Sequence, residues 1–367
     1  MDNKLHWKFY INERPPQDIV AKWNDISEHN ASSCASSFPD FALSSSLLLD
    51  KYKLVYAFAF VDQDLVLAVP LFIKVKRICF LKVSVIQVSN HDHLDVFVFA
   101  GQNNFNINDL VGELKMSLSK NISGWDYFQA RNIIADSGLH KSHMVPFYHK
   151  ESAYFDIESK ATVSDVISKK MFKNINRLEK KMLAKDDALD LKCYTSENEV
   201  ADAMSQFIEL EGSGWKGKLQ TSISSDLCTT NFYKKSWKGF SKHKKALIYL
   251  LYLNDKLIAG AISFRHCSNL YLHKISYSED LTQFGPGSIL VKKIIECALL
   301  DTSITTINLN TSPKWAERWH PEIINLRAIE HFNYSVRGLI LKLVFSVYRS
   351  MKFIKRKLFR GISNDHA

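Results

Sequence analysis

Apolar residues run through 54–60, break at Asp62-Gln63-Asp64 and resume over 65–69; about 193 residues later the same figure returns. There, residues 247–253 are apolar, Asn254-Asp255-Lys256 is polar, and 257–261 is apolar again. Each copy predicts two strands joined by a tight polar turn. A further strand is expected after each hairpin (94–99 and 270–277), then a helix (108–120 and 288–300), then another strand (125–130 and 305–309). Four elements recurring in one order predict two structurally related α+β domains with mixed sheets. The expected division is residues 1–158, residues 159–330 and a C-terminal tail of residues 331–367.

Two helices open the second half. Thr162-x-x-Asp165 approximates a capping box, and Ile167, Met171, Ile175, Leu178 and Met182 follow at helical spacing. Lys169, Lys173, Arg177, Lys180 and Lys181 occupy the other side; a solvated face is favoured over one that grips phosphate. Ser196-x-x-Glu199 caps the next helix, whose apolar stripe is Val200, Ala203, Met204, Phe207 and Ile208. Glu211 lies about three turns after Val200, on the same stripe. A carboxylate there is either buried for chemistry or exposed at a frayed helix end, and the pattern leaves both open. Gly212-Ser213-Gly214-Trp215-Lys216-Gly217 follows, a stretch able to turn sharply into a cleft.

Composition narrows the class. The 367 residues are 46% apolar and 23% charged, a globular profile. The longest apolar runs, 54–61 and 246–253, fall short of the ~20 residues a membrane span needs. No apolar segment follows Met1-Asp2-Asn3-Lys4, so no secretory leader is expected. Six scattered cysteines without a C-x-x-C pair suit a reducing compartment, and a cytoplasmic location is expected. The net charge is +10, and residues 331–360 alone hold eight Lys or Arg and no acid. The basic character thus belongs to the tail, and no nucleic-acid partner is expected.

Residues 271–290 read as strand, loop and a turn, Gly285-Pro286-Gly287, into a helix. Such a turn offers backbone N–H groups to an anion, although taken alone it is a weak signal and a plain turn is favoured. It lacks the Gly-Lys-Ser/Thr ending of a P-loop. The block of residues 207–217, then Leu272-His273-Lys274-Ile275-Ser276-Tyr277 and Phe284-Gly285-Pro286-Gly287, resembles the CelD-like branch of the GNAT N-acyltransferase superfamily. Those proteins carry two GNAT-type domains and are often linked to bacterial polysaccharide or envelope biosynthesis; the resemblance covers roughly residues 23–322. The Glu-x-x-x-Trp-Lys-Gly block is its most specific piece. Two departures stand out: Gly285 where the family commonly has Ser, and Asn308-Leu309-Asn310-Thr311-Ser312 where an Asp is often found.

The resemblance implies an acyl-CoA-dependent N-acyltransferase that needs no metal. It implies that Gln283, Gly285, Gly287 and Ser288 hold the CoA pyrophosphate. Glu211 is the first candidate base, its pKa expected to rise on burial; Lys274 and Tyr277 would assist the leaving thiolate or hold substrate. A backbone N–H of a splayed strand near 274–276 would serve the oxyanion. Trp215, Lys216 and the His91-x-His93-x-Asp95 segment are candidate acceptor contacts. The last of these also has the spacing of a metal triad, a reading ranked below a substrate-facing loop. Asn103-Asn104-Phe105-Asn106 stands where the first half would need its own Gly-rich turn, so donor binding is expected in the second.

The expected acceptor is an amine of a small-molecule or lipid-linked sugar or envelope precursor. A Fem-type transferase using aminoacyl-tRNA and a non-catalytic envelope-assembly factor are the alternatives. In the tail, Ile340, Leu343, Val344, Val347, Met351, Ile354 and Leu358 recur at helical spacing among the cations. This pattern suits either an anionic membrane surface, on the cytoplasmic face, or a terminal helix packed on the second domain.

Overall fold

The computed structural model describes residues 5–78, 81–88, 93, 96–101, 106–134, 145, 150–183 and 187–362. The first half contains β1 (His6–Ile11), α1 (Gln17–His29), α2 (Pro39–Ser44), β2 (Lys53–Val61), β3 (Asp64–Ile78) and β4 (Leu81–Val88). A short β5 (Ala100–Gly101), α3 (Ile107–Asn121), β6 (Tyr127–Ile133) and β7 (Lys150–Asp156) follow. The second half starts with α4 (Val163–Val166), α5 (Lys169–Met182), β8 (Leu189–Tyr194), α6 (Glu197–Ser213), α7 (Trp215–Lys218) and α8 (Leu227–Lys242). It continues with β9 (Ala246–Leu253), β10 (Lys256–His266), β11 (Asn269–Tyr277), α9 (Pro286–Leu300), β12 (Thr306–Asn308), β13 (Glu322–Phe332) and α10 (Val336–Ile362).

The expected α+β repeat is present. β2–β3 and β9–β10 are antiparallel hairpins, and β4–β6 and β11–β12 are parallel pairs. Asn254 and Asp255 both adopt positive φ (48° and 63°), the conformation a two-residue hairpin turn requires and that these residue types tolerate. Both capping boxes form, at Thr162 with Asp165 and at Ser196 with Glu199. The helix expected after Thr162 breaks, however: α4 ends at Val166, and Ser168 caps α5 afresh.

The third strand of the first half is misplaced in the sequence reading. It is β4; of the expected 94–99, residues 94 and 95 lie outside the described residues, and Val96, Phe97, Val98 and Phe99 are buried outside any strand, with an isolated bridge from Phe97 to Ile133. A short apolar run marks burial, and burial does not require a ladder.

The two repeats are not separate sheets. The strand order is β1-β2-β3-β4-β6-β13-β7-β12-β11-β10-β9-β8, and β5 adds to β3. β7, from the end of the first half, pairs with β12 of the second, while β13, from the end of the second, pairs with β6 of the first. Each half therefore lends its last strand to the other, and β7 and β13 pair to join the sheets. The boundary at residue 158 falls just after β7, where the chain has already crossed.

The core is shared as well. Phe41 of α2 stacks on Phe240 of α8 and meets Phe232 and Trp237 edge-on, and Phe38 meets Phe264 of β10 at 5.5 Å. α10 docks where β13 has joined the first half's sheet: buried Leu341 sits with Val83, Val85 and Tyr127, and Phe345 meets Phe332 of β13.

Exchanged strands and a common aromatic core predict one cooperative unfolding transition in calorimetry of the full chain. Phe41→Ala should lower stability by ~3–5 kcal/mol while keeping that single transition. Two transitions, with only one shifted by the substitution, would contradict the shared core.

Candidate active site

β12 is only three residues long, and its parallel contact with β11 spans Asn269–Tyr271 against Thr306–Asn308. β11 runs on to Tyr277 paired only with β10, so a gap opens along its other edge. Amides hold the gap's inner end. Asn310, at φ 59°, donates from Nδ2 to the Leu272 carbonyl (3.2 Å). Asn308 Oδ1 accepts from the Asn310 N–H (2.7 Å) and from Ser152 Oγ of β7 (3.0 Å). These neutral side chains occupy the stretch where the family resemblance leads one to look for an Asp. Since the Ser278 N–H donates to the Ile258 carbonyl (2.8 Å), alternation turns the backbone groups of Ser276 toward β10 and those of Ile275 and Tyr277 toward the gap.

A bulge interrupts the β10–β11 register between Ile262 and Ser263, opposite His273. Two consecutive residues of β11 then share a face, which simple alternation forbids. His273 packs among Phe41, Tyr233 and Trp237, and Lys274 reaches Glu211 of α6. Ile275 joins the opposite core. Tyr277 turns toward the start of α9, where a Cβ on Gly287 would come within 3.0 Å of its ring. Lys274 and Glu211 are therefore brought together, and Tyr277 lies on the other side of the sheet from them.

Glu211 is the most constrained group of the site. Its side chain is fully buried. Oε1 is 2.8 Å from Lys216 Nζ and 3.2 Å from Lys274 Nζ, and Oε2 accepts the Ile223 N–H at 2.8 Å. Of the two sequence readings, the inward one holds. The expected rise in its pKa does not: burial pushes the carboxyl up, but the Lys274 and Lys216 ammonium groups and the Ile223 amide outweigh it and hold the pKa below the usual value. Glu211 is an anion at neutral pH.

The glycines after Glu211 make this clamp possible. A Cβ on Gly217 would meet the Gly212 carbonyl oxygen at 1.8 Å, so the chain can fold back on itself only with Gly there. The folded-back segment, α7, is tied to the next part of the site: Glu279 accepts from the Trp215 N–H and from Lys218 Nζ (2.8 Å). Trp215 stands 54% exposed at the rim.

Glu279 begins the loop that ends at Gly285, whose φ of 63° and ψ of 51° are left-handed. Gly285 is the N-cap of α9; its carbonyl accepts from Ser288 and Ile289 (2.9 and 3.2 Å). Pro286 has no N–H, and the Gly287 N–H has no acceptor within the helix, so the positive end of α9 is presented at this turn. Leu178 of α5 comes within 3.5 Å of a Cβ on Gly285, so α5 packs against the turn, and the cations of α5 are exposed. Gln283 is exposed and Ser288 half-buried there.

Sequence reasoning missed two groups. Tyr233 of α8 places its hydroxyl 3.3 Å from His273 Nε2 and 3.2 Å from His93 Nδ1, and its ring lies 5.6 Å from Lys274 Nζ. Burial pushes the His273 pKa down to about 3, with the Lys274 charge adding to it, so this imidazole is neutral. His93 is thus a first-half residue delivered to the second half's site, while His91 and Asp95 lie outside the described residues. His273 stood inside the quoted motif; Tyr233 had no local signal. Among the described residues no group of three His, Cys, Asp or Glu side chains is placed to hold a metal ion.

Residues 169–317 match the family model described as an acetyltransferase (GNAT) domain. Among solved structures, FemX is similar at 11% identity, over 91% of this chain and 99% of that one, with a TM-score of 0.57. So is the C-terminal domain (DUF2156) of a putative lysylphosphatidylglycerol synthetase from Agrobacterium fabrum, at 12% identity, 89% and 95% coverage and TM-score 0.56. L-PGS from Bacillus licheniformis gives 13% identity, 90% and 96% coverage and TM-score 0.52. No curated protein matches the chain. At these identities the structural likeness is one of fold. The likeness to the acetyltransferase (GNAT) domain thus lies in the second half of the chain, over residues 169–317.

Proposed function

We propose that this protein transfers an acyl group from acyl-CoA to an amine of a sugar or cell-envelope precursor, small or lipid-linked, as the CelD-like resemblance implies. The reading is carried by one arrangement: the open edge of β11 leads from the left-handed turn at Gly285 to two lysines fixed on buried Glu211. The Gly285–Ser288 backbone takes the pyrophosphate, and Gln283 lines its approach. The thioester then lies along β11, with its carbonyl oxygen directed at the Ile275 N–H. The amine attacks the carbonyl carbon, the C–N bond forms as the C–S bond breaks, and the proton lost by the amine ends on the departing thiol. Lys274 and Lys216 supply positive charge where the thioester oxygen and sulfur become negative. Glu211, ionised and doubly paired, is a positioning residue for them rather than the base first considered. Tyr277 walls the donor turn, and Trp215 with His93 faces the acceptor.

A second reading is favoured by α5. Its Lys169, Lys173, Arg177, Lys180 and Lys181 form an exposed basic face on the helix whose Leu178 packs at the Gly285 turn, a fringe broader than CoA requires. A Fem-type aminoacyl-tRNA donor would use it, and one of the similar folds is named for making lysylphosphatidylglycerol. Titration calorimetry with acetyl-CoA and with charged tRNA separates the two donors.

Replacing Gly285 and Gly287 by Asp should abolish CoA binding, because a carboxylate and a Cβ then occupy the turn; unchanged affinity would remove the turn from donor binding. Lys274→Met should cut kcat by ~10²–10³-fold, the usual worth of one preorganised donor, with donor affinity retained. Glu211→Gln should also reduce kcat but leave the shape of the pH–rate profile intact, whereas loss of its acid limb would make Glu211 the base. Ring resonances of His273 should not titrate between about pH 5 and 8; a midpoint near 6.5 would contradict the buried Tyr233–His273 pairing.

A further inference from the structure

α10 is 27 residues long, about 40 Å at the usual helical rise, and its first turns are held by the fold. Leu341 is buried against β4 and β6, and Phe345 stacks 5.2 Å from Tyr127 and 5.4 Å from Phe332. Arg337 anchors the first turn, its Nε 3.1 Å from Asp126 Oδ1 and its guanidinium donating to the Lys82 carbonyl.

That docking uses the wrong face for ordinary packing. At 100° per residue, Val336, Ile340, Leu343, Val347 and Met351 form one stripe, and Leu341 and Phe345 lie well round the helix from it. The stripe is the face a globular protein would bury. Here Leu343 is 69% exposed, and Val347 and Met351 are each 60% exposed. The sequence repeats the spacing at Ile354 and Leu358 as the backbone helix continues to Ile362.

Charge selects the occupant. All eight Lys or Arg of residues 331–360 fall outside the core of the stripe, and no acid is among them. A second copy of α10 would bring eight cations against eight, so self-pairing is disfavoured. The basic surface also extends beyond α10: the neighbouring ends of β3 and β4, tied to α10 through Lys82, add exposed Arg77 and Lys82 with exposed Leu81. Among the described residues no helix is long and apolar enough to cross a membrane.

We propose that α10 lies in the interface of an anionic phospholipid membrane, its apolar stripe inserted at the headgroup boundary and the cations beyond its docked first turns on the lipid phosphates. The docked first turns make it a rigid outrigger that fixes how the protein sits on the surface. The inference does not depend on the proposed reaction; a catalytically silent chain would bind in the same way.

Vesicle flotation of the full-length protein tests this. Equimolar phosphatidylglycerol and phosphatidylcholine vesicles should carry the protein at low salt, and less of it as salt shortens the Debye length toward ~8 Å. Pure phosphatidylcholine should carry little. Each cation near an anionic surface shifts partition about fivefold, so changing Lys352, Lys355 and Arg356 together to Gln should weaken binding roughly a hundredfold. Leu343→Glu with Val347→Glu should abolish it, with an unchanged melting curve because both positions are exposed. Three results would overturn the proposal: no flotation at low salt, variants that float like the parent, or equal capture by uncharged vesicles. Sedimentation showing a dimer that the two Glu substitutions dissociate, in a protein that does not float, would assign the stripe to a second copy instead and also overturn it.

Discussion

A carboxylate buried between two ammonium groups organises the second half of this molecule. Glu211 joins the end of α6, the folded-back turn through Lys216, the segment at Ile223 and the open strand β11 through Lys274. Desolvating three charges is costly, so such a cluster adds little net stability over a well-packed apolar one. Removing one member is another matter, since the others are left buried and uncompensated, at ~3–5 kcal/mol. The cluster holds two cations at a fixed place beside the gap, with Glu211 depressed in pKa so that it stays charged between them.

The rest of the site follows from how β11 is held. The bulge opposite His273 sets His273 and Lys274 on one face, and the short β12 leaves the strand's far edge open. The wall behind is shared aromatic core: Phe41 of the first half touches His273, and His93 of the first half reaches Tyr233. With the last strands exchanged, neither half completes its sheet or this wall alone. The first half is thus a structural part of the second half's site, and its own parallel pair, β4 and β6, touches over only three positions as β11 and β12 do.

Local pattern made much of this legible. The hairpins, the capping boxes, the stripe of α6 and the turn at Gly285 are written in neighbouring residues, and all of them form. What was not legible depends on distance along the chain. Glu211 and Lys274 are 63 residues apart, so the sign of the pKa shift was beyond a reading that saw only burial. His93 and Tyr233 are 140 apart, and Tyr233 sits in a helix whose residues look like ordinary core. The exchange of β7 and β13 leaves no mark in periodicity, because a strand looks alike whichever sheet receives it. The tail shows the converse: its stripe was plain in sequence, but only the docking of Leu341 and Phe345 through another face reveals that Leu343, Val347 and Met351 are left exposed.

The central claim is that a thioester donor lies along the open edge of β11. Hydrogen exchange of the full-length protein with and without acetyl-CoA, read at single-residue resolution, tests it most directly. The account predicts added protection at the Ile275 and Tyr277 amides and at Gly287, with no change along β4 and β6 of the first half. Protection confined to the first half, or none along β11 at saturating donor, would contradict it.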